Sequence, residues 1–303
     1  MKWYWKCAID NAKALLPFQR QLRDIKYKLK PYPANPANEK LTIGQGLLEV
    51  DWVRQVRSWE GAIVMEIGTG WQPLIPIVFS LAGAGRVYLT DQNRLLTASS
   101  FASTINAIRR EKAWIAERLG IDPAVIDRAL DWKPEDGLEA GLKKLRLEYL
   151  APCDCRAMSL PANSLDIVTS RAVLEHVPPD VIQDIFHESL RLLRPDGLNC
   201  HIVDNSDHWE FRDKSLLRIN FLRFTDSFFP LTTFNSLNYQ NRLRHSQYLQ
   251  MLHKAGFKVI REDQEIDQPS LEALPTFPLA APFRSFTPQD IATMTTYVLA
   301  EKS

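Results

Sequence analysis

The stretch "VMEIGTGWQP", residues 64–73, guides the interpretation of the whole chain. An apolar run containing Glu66 leads into two glycines, Gly68 and Gly70, separated by one residue. This pattern is typical of a buried strand that turns sharply and lets backbone N–H groups approach a ligand. Pro73 stands where a dinucleotide fingerprint has its third glycine, and Pro76 follows. Because prolines remove N–H donors that a pyrophosphate needs, the turn favours a nucleotide-like ligand without one.

Strand-like and helix-like segments alternate on both sides of this turn. Because such alternation is typical of parallel sheets covered on both faces, the sequence predicts an α/β, Rossmann-like, doubly wound fold. The predicted strands are 62–68, 86–91, 164–170 and 198–204, and the predicted helices include 45–59, 73–85 and 178–192.

The predicted organisation is a basic amphipathic arm and linker over residues 1–39, followed by one domain over 40–303. Residues 1–33 carry eight lysines and arginines against two aspartates, a net charge of +6. This arm either packs on its own domain as a helix or contacts an anionic membrane surface. Residues 97–145 are predicted to form a helical insertion. Residues 205–245, rich in aromatic residues and arginine, are predicted to form a ligand-binding segment.

Composition excludes several classes of protein. The chain of 303 residues has a net charge of +1, which argues against a nucleic-acid partner. Four cysteines form no CxxC pair, so we expect reduced thiols and a cytoplasmic protein. There is no uninterrupted apolar run of the roughly 18 residues that a membrane span needs. The sequence carries no indication of oligomeric state.

A carboxylate at the end of the second predicted strand indicates a ribose-binding site. Asp91 follows Glu66 by 25 residues, a spacing at which a carboxylate can accept both ribose hydroxyls. With "VMEIGTGW", "VYLTD", "CDCRAMSLPANSLDIVTSRAVLEHV" and "LLRPDG" in this order, the chain resembles the class I S-adenosylmethionine-dependent methyltransferases. The resemblance implies a seven-stranded sheet whose last strand is antiparallel, and S-adenosylmethionine as cofactor. It assigns cofactor binding to Glu66, Gly68, Thr69, Gly70, Asp91, Gln92, Asp154, Cys155 and Ser170.

A narrower similarity concerns the acceptor. "GTGWQPLIP", "DNSDHW" and "QNRLRHSQYLQMLHKAGF" are similar to a bacterial, methyltransferase type 11-like branch associated with glycan and polysaccharide biosynthesis. This similarity implies O-methylation of a glycan or another small polar acceptor. Two alternatives stay open: an N- or C-methyltransferase of a natural product or lipid-linked precursor, and a non-catalytic, cofactor-binding regulatory protein.

Two histidines are the candidate catalytic bases, because a sugar hydroxyl benefits from proton removal. His208 follows the fifth strand, with Asp204 and Asp207 nearby to orient its ring, and His176 follows the fourth. We expect no metal, because Ala172 stands where a metal-dependent branch of the family has the first glutamate of Glu-x-x-Glu-His. The residues predicted to bind the acceptor are Trp209, Arg212, Tyr239, Arg242 and His245.

Overall fold

The structure is a computed structural model that describes residues 2–15, 34–235 and 239–302. The strands are β1 Ile63–Ile67, β2 Arg86–Thr90, β3 Leu147–Leu150, β4 Leu165–Arg171, β5 Leu193–Asp204, β6 Phe257–Ile266 and β7 Thr293–Lys302. The helices are α1 Trp3–Ala14, α2 Pro36–Val56, α3 Leu74–Leu81, α4 Ala98–Arg110, α5 Lys112–Leu119, α6 Pro123–Ala129, α7 Leu138–Lys144, α8 Pro179–Leu192, α9 Phe229–Thr232, α10 His245–Ala255, α11 Gln268–Ala273 and α12 Pro288–Ala292.

The seven strands form one mixed sheet in the order β3-β2-β1-β4-β5-β7-β6, which confirms the predicted Rossmann-like fold. The pairs β1–β2, β1–β4 and β2–β3 are parallel. In register, Ile67 lies opposite both Thr90 of β2 and Ser170 of β4. The carboxyl ends of these central strands therefore meet at one edge, where α/β folds bind their ligands.

The chain divides into two compact units that interleave along the sequence. We call residues 34–170, 187–200 and 301–302 the glycine-loop unit. Residues 2–15, 171–186, 201–235 and 239–300 form the histidine unit. The two are described separately below.

The first helix of the glycine-loop unit begins slightly earlier than the sequence indicates. The boundary was expected near residue 40, but α2 starts at Pro36, after an Asn35 side chain that accepts the N–H of Asn38. Asparagine before a proline at the first helical position is a strong start signal. Glu39, inside the expected linker, is buried. Part of the segment interpreted as a linker is therefore helix.

The helical insertion is observed as α4 to α7. The insertion was predicted to end at residue 145, and the structure ends α7 at Lys144 and starts β3 at Leu147. Arg146, between them, has φ of 56°, a left-handed conformation that terminates the helix. Leu147 then pairs with Val87 of β2, so pairing with a neighbouring strand outweighs local helical preference.

Of the predicted N-terminal arm, α1 belongs to the histidine unit. The backbone N–H of Trp3 donates to Asp213, and the amide of Asn11 donates to the carbonyl of Leu231. Residues 16–33 of the predicted arm lie outside the described residues. Within the described part of the chain, no helix combines the length and apolar character needed to cross a bilayer.

Candidate active site

The glycine loop leaves space beside its backbone. The N–H groups of Gly68 and Thr69 both donate to the carbonyl of Thr90, at 2.9 and 3.0 Å, which folds the loop over the end of β2. Gly68 and Gly70 have φ of 73° and 66°, values that favour glycine. A Cβ on Gly70 would meet nothing closer than the carbonyl oxygen of Gly68 at 4.0 Å. The loop thus presents backbone to open space, as a ligand cradle requires.

Asp91 closes the cradle on one side. Its Oδ2 accepts the N–H of Gly70 at 3.0 Å, and its Oδ1 accepts the N–H of Asn93 at 2.8 Å. Burial raises the pKa of this half-buried carboxyl, while the two N–H donors act in the opposite direction. Each carboxylate oxygen keeps a further lone pair, so Asp91 can still accept two hydroxyl groups. Gln92, beside it, is exposed.

The loop after β3 reaches the same edge. The N–H of Cys153 donates to the carbonyl of Asp91 at 2.9 Å, and Cys155 Sγ lies 3.2 Å from Thr90 Oγ1. Cys155 is buried, and its hydrogen bond with Cys153 together with burial raises its pKa, so the thiol is neutral. Asp154 is exposed and pairs bidentately with the guanidinium of Arg156.

The residues of this edge fit S-adenosylmethionine. The nine residues predicted to bind the cofactor all lie at or just beyond the carboxyl ends of β1 to β4. Thr69 Oγ1 is buried and has no hydrogen-bond partner among the described residues, so it is available to a polar ligand atom. Gln72 fixes the loop from behind by donating to Glu39 of α2 at 3.0 Å. Sequence analysis did not identify this link.

The histidine unit contains a cavity of about 190 Å³, which we call the histidine cavity. Aromatic faces and hydrogen-bonding groups alternate around it, and they come from α1, from the exit of β4 and from residues 207–240. The lining residues are Asp10, His176, Asp207, His208, Trp209, Phe211, Arg212, Phe221, Phe229, Thr233 and Gln240. Four residues predicted as catalytic or acceptor-binding, His176, His208, Trp209 and Arg212, are brought together here.

His208 pairs with Asp204. Its Nε2 lies 3.3 Å from Asp204 Oδ2, and its ring stacks on Phe211 at 5.2 Å. Burial alone would raise the pKa of Asp204, but the nearby His208 and two hydrogen bonds from Ser206 hold it below its usual value. Asp204 is therefore an ionised partner. Of the two aspartates predicted to orient the ring, the structure has Asp204 in that position, while Asp207 accepts from Asn220 and from a backbone N–H.

His176 lies next to His208, with ring centroids 5.0 Å apart. Its Nδ1 is 2.8 Å from the carbonyl oxygen of Tyr239. Because a carbonyl only accepts, Nδ1 carries the hydrogen and Nε2 keeps a lone pair. Although the residue as a whole is exposed, partial burial of its ring lowers the pKa of His176, and the nearby His208 lowers it further. His176 is therefore a neutral acceptor at physiological pH.

Three predicted acceptor residues have other surroundings. Tyr239 meets the site through its backbone carbonyl rather than its phenol. The guanidinium of Arg242 binds the carbonyls of Phe221 and Phe224 and pairs with Asp226. His245 is buried against Thr296 and Glu262. Arg242 and His245 do not line the histidine cavity among the described residues, because both are occupied in holding the unit together.

A potential metal-ligand set was not expected from the sequence. Glu175, His176 and His208 each present a ligand atom, and these atoms lie within 4.8 Å of one another. Glu175 is buried, and neither carboxylate oxygen has a hydrogen bond of good geometry within the described residues. Burial, with the charge of Asp204, raises its pKa well above the usual value. A protonated Glu175 satisfies this arrangement, and a bound cation would also do so.

Sequence analysis missed Asp10 and Gln240 as cavity residues. The spacing of Trp3, Cys7 and Asp10 places all three on one helical face, which is the signal that could have identified the inward side of α1. Gln240 carries no comparable signal, because its position depends on its bond to the carbonyl of Ser206.

A family model described as a methyltransferase domain matches residues 106–200. The matched region contains Asp154, Cys155, Ser170 and His176, whereas the glycine loop and Asp91 precede it. No curated protein matches the sequence.

Solved structures give distant similarities. A chain from the complex of the Haloferax volcanii Trm112 methyltransferase activator with a methyltransferase is 16% identical, with 96% of both chains covered and a TM-score of 0.46. A Methanosarcina mazei S-adenosylmethionine-dependent methyltransferase is 14% identical, covering 83% of this chain and 96% of that one, with a TM-score of 0.48. Geranyl diphosphate C-methyltransferase from Streptomyces coelicolor is 10% identical, covering 84% and 78%, with a TM-score of 0.46.

These structural similarities carry no information about the acceptor. The methyltransferase-domain match and the cradle at the edge of the seven-stranded sheet concern the donor side alone. Together they identify the chain as an S-adenosylmethionine-dependent methyltransferase.

Proposed function

We propose that this enzyme is an O-methyltransferase whose acceptor is a compact hydroxyl-bearing group, such as one sugar unit of a glycan, bound in the histidine cavity. The observation that carries the proposal is the Asp204–His208 pair at the wall of a cavity that also contains aromatic faces. An ionised carboxylate beside an imidazole stabilises the imidazolium that forms when the ring takes a proton.

The size and lining of the cavity favour such an acceptor. At about 190 Å³ it is smaller than most small-molecule sites, which occupy roughly 300–1,000 Å³, so only a compact part of the acceptor enters. Trp209 and Phe211 offer faces for the C–H side of a sugar ring. Arg212 and Gln240 offer hydrogen-bond donors for its oxygens.

Chemically, S-adenosylmethionine supplies a methyl group already activated on a sulfonium sulfur. The acceptor oxygen forms the new C–O bond while the C–S bond breaks, and the hydroxyl proton passes to His208. Because Nε2 of His208 faces Asp204, Nδ1 is the nitrogen that accepts this proton. His176, held by the Tyr239 carbonyl, keeps a lone pair on Nε2 that can accept a hydrogen bond from the acceptor.

The test is turnover with a panel of glycosides and polyols, measured as S-adenosylhomocysteine release and as the mass of the methylated product. His208→Ala should lower turnover by about 10²–10⁴-fold with cofactor affinity nearly unchanged. His187→Ala, on the exposed side of α8, is the matched control and should behave as wild type. If His208→Ala and His176→Ala both keep full turnover, the histidine-base mechanism is wrong. N- or C-methylation would then be the better account, and the position of the methyl group in the product, determined by NMR, would distinguish the two.

A further inference from the structure

Exposed large hydrophobic side chains concentrate in the histidine unit. Among the described residues, every exposed phenylalanine, tyrosine and tryptophan lies either on α1 or between residues 211 and 234, and exposed aliphatic residues accompany them. These residues are Tyr4, Trp5, Ile9, Leu15, Phe211, Phe228, Leu231 and Phe234. Because monomeric soluble proteins rarely expose a contiguous apolar patch of this kind, the concentration indicates a binding surface.

Helix α1 has two apolar faces, one packed against the rest of the histidine unit and one exposed. Its inner side is bound to the histidine unit, with Cys7 Sγ 3.6 Å from the carbonyl oxygen of Thr232 and Trp3 packed 5.6 Å from the ring of Phe224. Its outer side exposes Trp5, Ala8, Ile9 and Ala12, spaced as i, i+3, i+4 and i+7. A helix on a protein surface normally turns a polar face to water, so the outer stripe requires a second partner.

The segment that carries the other exposed residues is hydrogen-bonded to α1. Asn11 donates to the carbonyl of Leu231, and the side chain of Asn235 donates to the carbonyl of Asp10. Leu231 and Phe234 on this bonded segment are 57% and 55% exposed. We call Trp5, Ile9, Phe228, Leu231 and Phe234 the interfacial surface.

Charge around the interfacial surface is positive. In the described part of α1 and its start, Lys2, Lys6 and Lys13 stand against Asp10 alone, which pairs with Lys13 at 2.9 Å and also lines the histidine cavity. In sequence alone, residues 16–33 carry five basic residues and one aspartate, although the chain as a whole has a net charge of only +1. Aromatic residues beside lysines are the composition of helices that lie in the headgroup region of anionic bilayers.

We propose that the interfacial surface docks on an anionic phospholipid bilayer, with α1 lying in the plane of the membrane. The same helix supplies Asp10 to the wall of the histidine cavity, and Phe211, another wall residue, is exposed. Docking therefore brings the cavity to the lipid surface. If the proposed function holds, the acceptor is a polar group carried on a lipid.

The test is co-sedimentation of the full chain with vesicles of phosphatidylcholine alone or with one third phosphatidylglycerol. Wild type should bind the anionic vesicles, and binding should weaken in high salt, because salt screens the lysine contribution. Trp5→Ser with Ile9→Ser should reduce the bound fraction at least about tenfold, because two side chains no longer enter the bilayer. Leu41→Ser with Val125→Ser, which removes exposed apolar side chains from the other unit, is the control and should bind as wild type.

Vesicle binding by the Trp5/Ile9 variant equal to wild type would overturn the proposal, and so would failure of wild type to bind either vesicle. In the second case a protein partner would become the better occupant of the surface. Because sedimentation requires no turnover, its outcome is independent of the histidine-base test. Unchanged circular dichroism and cofactor affinity in the double variant would show that the fold is retained.

Discussion

The most direct prediction concerns the glycine loop and the effect of Gly70→Ala on stability and on cofactor binding. At φ of 66° an alanine occupies the left-handed region, which costs roughly 1–2 kcal/mol in the folded state. The new Cβ meets no protein atom closer than 4.0 Å, so no steric cost within the protein is added. The space it fills is the space in which the cofactor is proposed to pass.

Gly120→Ala is a matched control for this strain. Gly120 caps α5 at φ of 69° and ψ of 35°, and a Cβ there meets nothing within 4 Å. Both variants should therefore lose a similar 1–2 kcal/mol of folding stability, or about 2–5 °C in melting temperature for a chain of this length. Only Gly70→Ala should also weaken S-adenosylhomocysteine binding, by about tenfold or more, which corresponds to at least about 1.4 kcal/mol.

Calorimetric titration and thermal melting of the ligand-free variants separate the two effects. If Gly70→Ala melts like Gly120→Ala and binds the ligand with wild-type affinity, the cradle is not at this loop. A loss of affinity in both variants to the same degree would point to general destabilisation instead.

Three further predictions concern the histidine unit. Asp204→Asn should lower turnover by more than about tenfold without changing cofactor affinity, because the imidazolium of His208 loses its ionised partner. Turnover equal to that of the wild type would exclude Asp204 as a positioning residue. Dialysis against a chelator should leave turnover unchanged if the histidine acts as a base. Added Zn²⁺ should inhibit the enzyme by binding to Glu175, His176 and His208. Loss of activity on chelation would favour a resident metal. Burial lowers the pKa of His201 to about 3, so the unfolded chain takes up its proton first as pH falls below 6.5. Stability of a few kcal/mol is then lost between about pH 6.5 and pH 3, and His201→Gln should move the acid-unfolding midpoint, followed by circular dichroism, to lower pH.

The strands and the turn that carry the predicted donor residues could be predicted because their signals are local. Val64 to Gly70 contains a buried strand and its turn within seven residues, and Asp91 ends the next strand along the chain. Hydrophobic runs of this kind pair in only one way in a doubly wound sheet, so the positions of these residues follow from strand order. Strand β3 was not predicted, because Leu147 forms a strand only through its pairing with β2.

The acceptor side depends on contacts between residues distant in sequence. Asp10 reaches the histidine cavity because α1 is bound to residues 213–235, more than 200 positions later. Arg242 and His245 were predicted as acceptor residues because arginine and histidine often bind ligands. In the structure, Arg242 binds carbonyls of the 221–224 segment, and His245 contacts Thr296 and Glu262. Local sequence patterns do not predict these partners.

Because α1 contributes to the wall of the histidine cavity, the specificity of this enzyme can change in evolution separately from its cofactor binding. All nine residues assigned to the donor lie within residues 66–170, whereas the cavity is lined by residue 10 and by residues 176–240. Selection can therefore change the residues that line the cavity without changing the residues assigned to the donor. If the acceptor binds in the histidine cavity, substitutions on the inner face of α1 would change which acceptor fits while the methyl donor is still bound in the same way. Orthologues that share the glycine loop but differ in their first 15 residues are expected to have drifted to different acceptors, and exchanging that helix between them is a direct route to new specificity.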